Sequence, residues 1–148
     1  MNISLKWLFI LLWATLANTG CYGQKLRPES DFKIIYKAQT RGSNLEYTVD
    51  NKSIIAVSNG VEGKNGITFL KSDDKEAIVD LIGAIELDNM KNLIPQSQNY
   101  SVDRALIANV LIITNGKEYE SSPFDHGKPP KELKPLIDQM LALVETVE

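Results

Sequence analysis

The sequence predicts an α+β domain: an antiparallel β-sheet in the order β-β-β-α-β-β-α, with two helices packed on one face. Three observations lead there. Short runs rich in β-formers are separated by tight-turn residues. Two segments repeat apolar residues at helical spacing. The dipeptide Asn115-Gly116, between two strand-like runs, is the sequence mark of a type I′ hairpin. With 148 residues, 43% hydrophobic and 24% charged, the chain has the size and make-up of one globular domain.

The first strand is expected at residues 32–40, where Phe32, Ile34, Ile35 and Tyr36 precede a break at Arg41-Gly42. Residues 45–49 alternate apolar and polar and read as a half-buried strand, and Asp50-Asn51 turns the chain into a third at 53–58. Gly60, Gly63 and Gly66 mark a loop, but their spacing matches neither common phosphate-binding motif, so it reads as a connection. Ile67–Leu70 offers a further short strand. A helix follows, with Asp73 as N-cap, Glu76 at the capping-box position, and Ala77, Ile78, Leu81, Ile82 and Ile85 on one face. Asp73 and Asp74 are acidic residues of the kind a helix N-terminus attracts, and no metal is inferred from them.

A long polar connection, residues 94–104, leads to the most apolar strand at 105–114. Being apolar on both faces, this strand is expected inside the sheet. Asn115-Gly116 returns it to residues 117–121, and Pro123 ends the run. The last helix follows Pro129-Pro130, with Pro135 in or near its first turn. Leu133, Leu136, Ile137, Met140, Leu141 and Val144 form its stripe. Leu106, Val110, Ile112, Leu136, Ile137 and Leu141 are the expected core.

The N-terminus reads as an address. Residues 7–17 are uncharged and follow Lys6, and about 16 Å of helix is too short for a ~30 Å hydrocarbon core but fits a signal peptide. The expected division is a signal peptide at 1–20 (alternatively 1–23, with cleavage after Gly23), a polar tether at 21–31 and a single α+β domain at 32–148. Ala17-Asn18-Thr19-Gly20-Cys21 resembles the lipobox of bacterial lipoproteins, with Asn18 where that family usually has an aliphatic residue. The resemblance implies that Cys21 becomes a lipidated first residue and a membrane anchor. The domain pattern is similar to that of small lipoprotein families of diderm bacteria, through Asn115-Gly116-Lys117 and Pro129-Pro130 followed by Leu133. Those families have no assigned activity to carry over.

Composition narrows the chemistry. The net charge of −3 argues against a nucleic-acid partner. One Cys and one His leave no Cys- or multi-His metal site, and no cofactor is implied. A small hydrolase would need His126 as its base, with Ser121, Ser122 and Asp125 close by in sequence, but no Gly-x-Ser-x-Gly elbow is present. The glycosylation-like triplets at Asn51 and Asn99 carry no expectation in a bacterial protein. The expected function is therefore a non-catalytic binding or accessory lipoprotein, periplasmic or held at the outer membrane. Its partner would be an envelope protein, peptide or glycan. Alternatives are an inhibitor of a periplasmic or foreign enzyme, a small hydrolase, or a soluble secreted form.

Extending the hairpin ladder from Thr114 opposite Lys117 places Asn109 opposite Ser122 and Ile107 opposite Phe124. The 94–104 and 123–129 loops should then lie side by side, and Tyr100, Asp103, Arg104, Asp125 and His126 form the expected binding patch.

Overall fold

The computed structural model describes residues 31–60, 63–97 and 106–148. Cys21, the signal segment and the tether expected ahead of Asp31 lie outside the described residues, as do Tyr100, Asp103 and Arg104.

The fold is α+β. Strands β1 (Phe32–Thr40), β2 (Ser43–Asp50), β3 (Ser53–Asn59) and β4 (Gly66–Phe69) precede helix α1 (Ser72–Gly83). A 3₁₀ helix (Leu87–Asn92) leads on to β5 (Ile107–Thr114), β6 (Lys117–Glu120), β7 (Phe124–Asp125) and helix α2 (Lys134–Val144). The seven strands among the described residues make one antiparallel sheet in the order β4-β3-β2-β1-β5-β6, with β7 also paired to β5. The observed order thus adds β4 and β7 to the expected one. The β1–β5 pairing, which joins distant parts of the chain, makes β1 central.

Strand periodicity decides the core. Phe32, Ile34, Tyr36 and Ala38 on β1 are buried, and their cross-strand partners Val49, Tyr47 and Leu45 on β2 and Thr114, Ile112, Val110 and Ala108 on β5 are buried with them. Ile78 and Ile82 of α1 and Leu136, Ile137, Met140, Leu143 and Val144 of α2 join the same cluster. Val110, Ile112, Leu136 and Ile137 are core as expected, whereas Leu106 and Leu141 are only partly buried and Leu143 lies deeper than Leu141. Ala77 is exposed, so the buried face of α1 narrows to Ile78 and Ile82, with Leu81 and Ile85 beside them.

The start of α1 differs from expectation, whereas α2 has Pro135 in its first turn as expected. α1 begins at Ser72 behind Lys71, and no side chain caps it, so the Asp73–Glu76 capping box is not formed; Asp73 and Asp74 sit in the first turn instead. α2 begins at Lys134 with Pro135 in its first turn. Pro129 and Pro130 lie before it, and the Pro130 carbonyl accepts from the Leu133 and Lys134 amides to start the helical turn.

The hairpin turn is as expected. Asn115 and Gly116 both have positive φ, 52° and 69°, and Thr114 faces Lys117. The lower half of the ladder is not. Leu111 still faces Glu120, but Ala108 faces Phe124 and Ile107 faces Asp125, one residue out of the expected register. Ser122 and Pro123 together stand opposite the single residue Asn109, which is a β-bulge. The reason is physical. Pro123 has no N–H to give the ladder. The one-residue slip also moves Phe124 from opposite half-exposed Ile107 to opposite Ala108, on the buried face, where it is fully enclosed. Ser121 holds the bulge, with its amide on the Val110 carbonyl (2.9 Å) and its hydroxyl accepting the Val110 N–H (3.0 Å).

The glycine-rich connection is a close-packed seam. A Cβ on Gly66 would lie 2.5 Å from the Glu148 carbonyl oxygen and 2.8 Å from Val147 Cγ1. Beside it, Lys64 Nζ donates to the Glu145 carbonyl (2.7 Å) just past the end of α2, where a cation also answers the helix dipole.

Candidate functional site

The only histidine, His126, sits in the turn after β7. Its amide donates to the Leu106 carbonyl (2.9 Å), and the Lys128 amide closes the turn on the Asp125 carbonyl (2.8 Å). Gly127 takes the positive φ (77°) that lets the chain reverse there. This turn aims the ring at Tyr36, in the middle of β1. The Tyr36 hydroxyl lies 2.7 Å from His126 Nδ1, with ring centroids 5.7 Å apart.

Tyr36 is the hub of an aromatic cluster. It stacks on its cross-strand partner Tyr47 (6.3 Å, 12°) and meets Phe124 at a tilt (6.2 Å, 50°). Burial pushes its phenol well above the ordinary tyrosine range, and a hydrogen bond from the Gly127 amide offsets this only in part. A phenol held neutral in this way can share a hydrogen bond with Nδ1 in either direction, according to the imidazole tautomer. Tyr47 is also raised by burial, against a backbone hydrogen bond from Lys64, with Glu145 adding repulsion.

Asp125 turns the other way. It pairs with Ile107, whose side chain lies on the open face, and it is almost fully buried. Ser97 donates its hydroxyl to Asp125 Oδ2. Ser122 donates to the Lys91 carbonyl (2.7 Å). These two bonds lay the described start of the connection after the 3₁₀ helix against the segment around β7. Of the expected patch, the described members Asp125 and His126 are therefore adjacent in sequence but aimed at different sides, and both are drawn inward.

Ser97, Ser121 and Ser122 each use their hydroxyl on Asp125, Val110 and Lys91 respectively. Nδ1 of His126 is hydrogen-bonded to the Tyr36 hydroxyl. Among the described residues no group of three or more His, Cys, Asp or Glu side chains could hold a metal ion. A groove of about 430 Å³ runs along the opposite sheet end between Asp31, Lys33, Asp50, Lys52 and Asn115. Of its two carboxylates, Asp31 accepts from Asn51 Nδ2 and Asp50 is occupied by its own turn. Burial alone would raise Asp50, but bonds from the Lys52 amide, the Ser53 amide and the Ser53 hydroxyl, with Lys33 nearby, hold it below the usual carboxylate range.

The other feature is the sheet face away from the core. Ile67, Ile55, Thr48, Ile35 and Leu111 stand directly opposite one another across five strands, forming one row of four aliphatic side chains and a threonine methyl. Phe69 (87% exposed), Ile67 (67%) and Val57 (52%) lie at the β4 side of this face. Lys37–Glu46 (3.4 Å) and Asn109–Glu120 (2.7 Å) border the row in the middle and at the β6 side. Sequence reasoning places the patch on loops, with the open face of the sheet as the alternative, and does not single out the residues of this row. Its signal was the apolar out-facing residues Ile35, Ile55 and Leu111 in strands that otherwise alternate. Comparison with family models, with curated proteins and with solved structures finds no match to this chain.

Proposed function

We propose that this chain is an exported, non-catalytic binding or accessory lipoprotein of the bacterial cell envelope, anchored through Cys21, with both helices on the buried side of the sheet and the opposite side serving as the contact surface. The carrying observation is the cross-strand row from Ile67 to Leu111, a contiguous apolar strip on a rigid scaffold with polar borders. The hydrogen bonding of His126, Ser97, Ser121 and Ser122 supports a binding role over hydrolysis, because each side chain acts in holding the sheet end together. The lipobox-like segment before Cys21 supports the anchor. The partner class that suits the row is an envelope protein or peptide, and inhibition of an enzyme by the same face is one form that binding can take.

The anchor is tested by fractionation: Cys21→Ser should move the protein from the membrane to the soluble fraction. An unchanged distribution would remove the lipoprotein from the proposal. Turnover of a hydrolytic substrate that is lost in His126→Ala with the fold intact would overturn the non-catalytic reading.

A further inference from the structure

The two edges of the sheet are treated differently. At one edge β6 packs against the 3₁₀ helix, and Ser122 ties the adjoining bulge to Lys91. At the other edge lies β4, with Phe69 and Ile67 the most exposed apolar residues of the open face.

Hydrogen-bond alternation shows what that edge offers. Leu70 N–H donates to the Lys52 carbonyl (2.9 Å), so Leu70 and Lys52 form a hydrogen-bonded pair. In an antiparallel ladder such pairs alternate. Thr68–Ile54 and Gly66–Ala56 therefore also bond, and Ile67 and Phe69 turn their N–H and C=O groups away from β3. Among the described residues no other strand meets them. An outward row of amide donors and acceptors at strand spacing is matched by one kind of group, the backbone of another extended segment.

We propose that β4 pairs antiparallel with β4 of a second copy of this chain, across a two-fold axis at Thr68. In this register Ile67 stands opposite the partner's Phe69 and Phe69 opposite the partner's Ile67, exchanging the outward backbone hydrogen bonds. The four side chains meet on the open face as aromatic–aliphatic cross-strand pairs. Charge fits as well. Gly66–Leu70 carries none, so no like charges face each other along the paired strands. The axis is perpendicular to the sheet, so the apolar rows of both copies continue into one strip. Such an interface is short, so the association is weak and concentration-dependent. It does not depend on lipidation of Cys21.

The axis position gives a sharp test. Thr68 and the partner's Thr68 would form a non-hydrogen-bonded pair, with Cα atoms about 4.5 Å apart, within disulfide range. In the full chain carrying Cys21→Ser, which removes the only other thiol, Thr68→Cys should give a disulfide-linked dimer on mild oxidation. Val57→Cys, exposed on the open face and off the axis, should not. Adding Phe69→Glu at an exposed position should abolish the Thr68→Cys dimer. Equal crosslinking from Thr68→Cys and Val57→Cys, or a dimer that survives Phe69→Glu, would overturn the pairing. Sedimentation of the unsubstituted chain is the second arm. Its average mass should rise with concentration and level off at the dimer, while Phe69→Glu stays monomeric. A monomer up to about 1 mM, or a mass that climbs past the dimer, would equally overturn it.

Discussion

Replacing Tyr36 by Phe removes one oxygen atom from the centre of the protein and leaves the ring contacts with Tyr47, Phe124 and His126 in place. The lost hydroxyl is the partner of two groups, His126 Nδ1 at 2.7 Å and the Gly127 amide. Leaving a buried polar group unsatisfied costs about 1–3 kcal/mol. Gly127 is exposed and His126 half-buried, so water can serve both in part. The expected cost is therefore about 1–2 kcal/mol, at the lower end of that range. For a domain of this size that lowers Tm by roughly 3–10 °C. Tyr36→Ala, which also removes the ring, should cost about 3–5 kcal/mol. Urea denaturation followed by circular dichroism measures both. A Tyr36→Phe variant as stable as the parent would refute the structural role of the Tyr36–His126 pair. The pair would then become a candidate for chemistry.

Other outcomes follow from the packing and the turns. Leu136 is buried in the core cluster, so Leu136→Ala should lose about 2–5 kcal/mol. Leu141→Ala, at a partly buried position, should lose clearly less, and denaturation midpoints compare the two. Asp50 is held below its ordinary range by its turn, so it stabilises the fold above the unfolded carboxyl value near 4, and that contribution fades as pH falls through the folded value. Asp50→Ala should therefore cost about 1 kcal/mol at pH 7, with the gap to the parent narrowing near pH 3 in parallel urea titrations. Gly66→Val should destabilise through contact with Val147 and the Glu148 carbonyl, and a melting temperature equal to the parent's would contradict that close approach.

Much of this fold was legible because local signals and tertiary demands agree. Phe32–Thr40 alternates and is a central strand, Asn115-Gly116 has the backbone its turn requires, and Leu136, Ile137, Met140 and Val144 of the expected stripe lie on the buried face of α2. The sequence could not show that β1 pairs with β5, since their partnership spans more than half the domain and rests on packing alone. Nor did it reveal the bulge. Counting outward from a hairpin assumes an unbroken ladder, and Pro123 together with the burial of Phe124 breaks it. The α1 start shifted because Lys71 leads into the helix without a side-chain cap, a case that capping rules do not anticipate. Of the site, only the start of the 94–104 connection lies among the described residues, and there the Ser97–Asp125 bond sets it beside β7. The His126–Tyr36 pairing was not, because ninety positions separate the two residues and only the β1–β5–β7 registers bring them together.

The central claim is that the open sheet face is where this protein meets its partner. Site-specific photocrosslinking in the native envelope tests it directly, with the probe placed at Val57 on that face and, as a comparison, at Glu132, exposed just before α2. The account predicts a discrete adduct from Val57, heavier than the self-crosslinked dimer, and none from Glu132. Adducts from Glu132 alone, or from neither position, would contradict it.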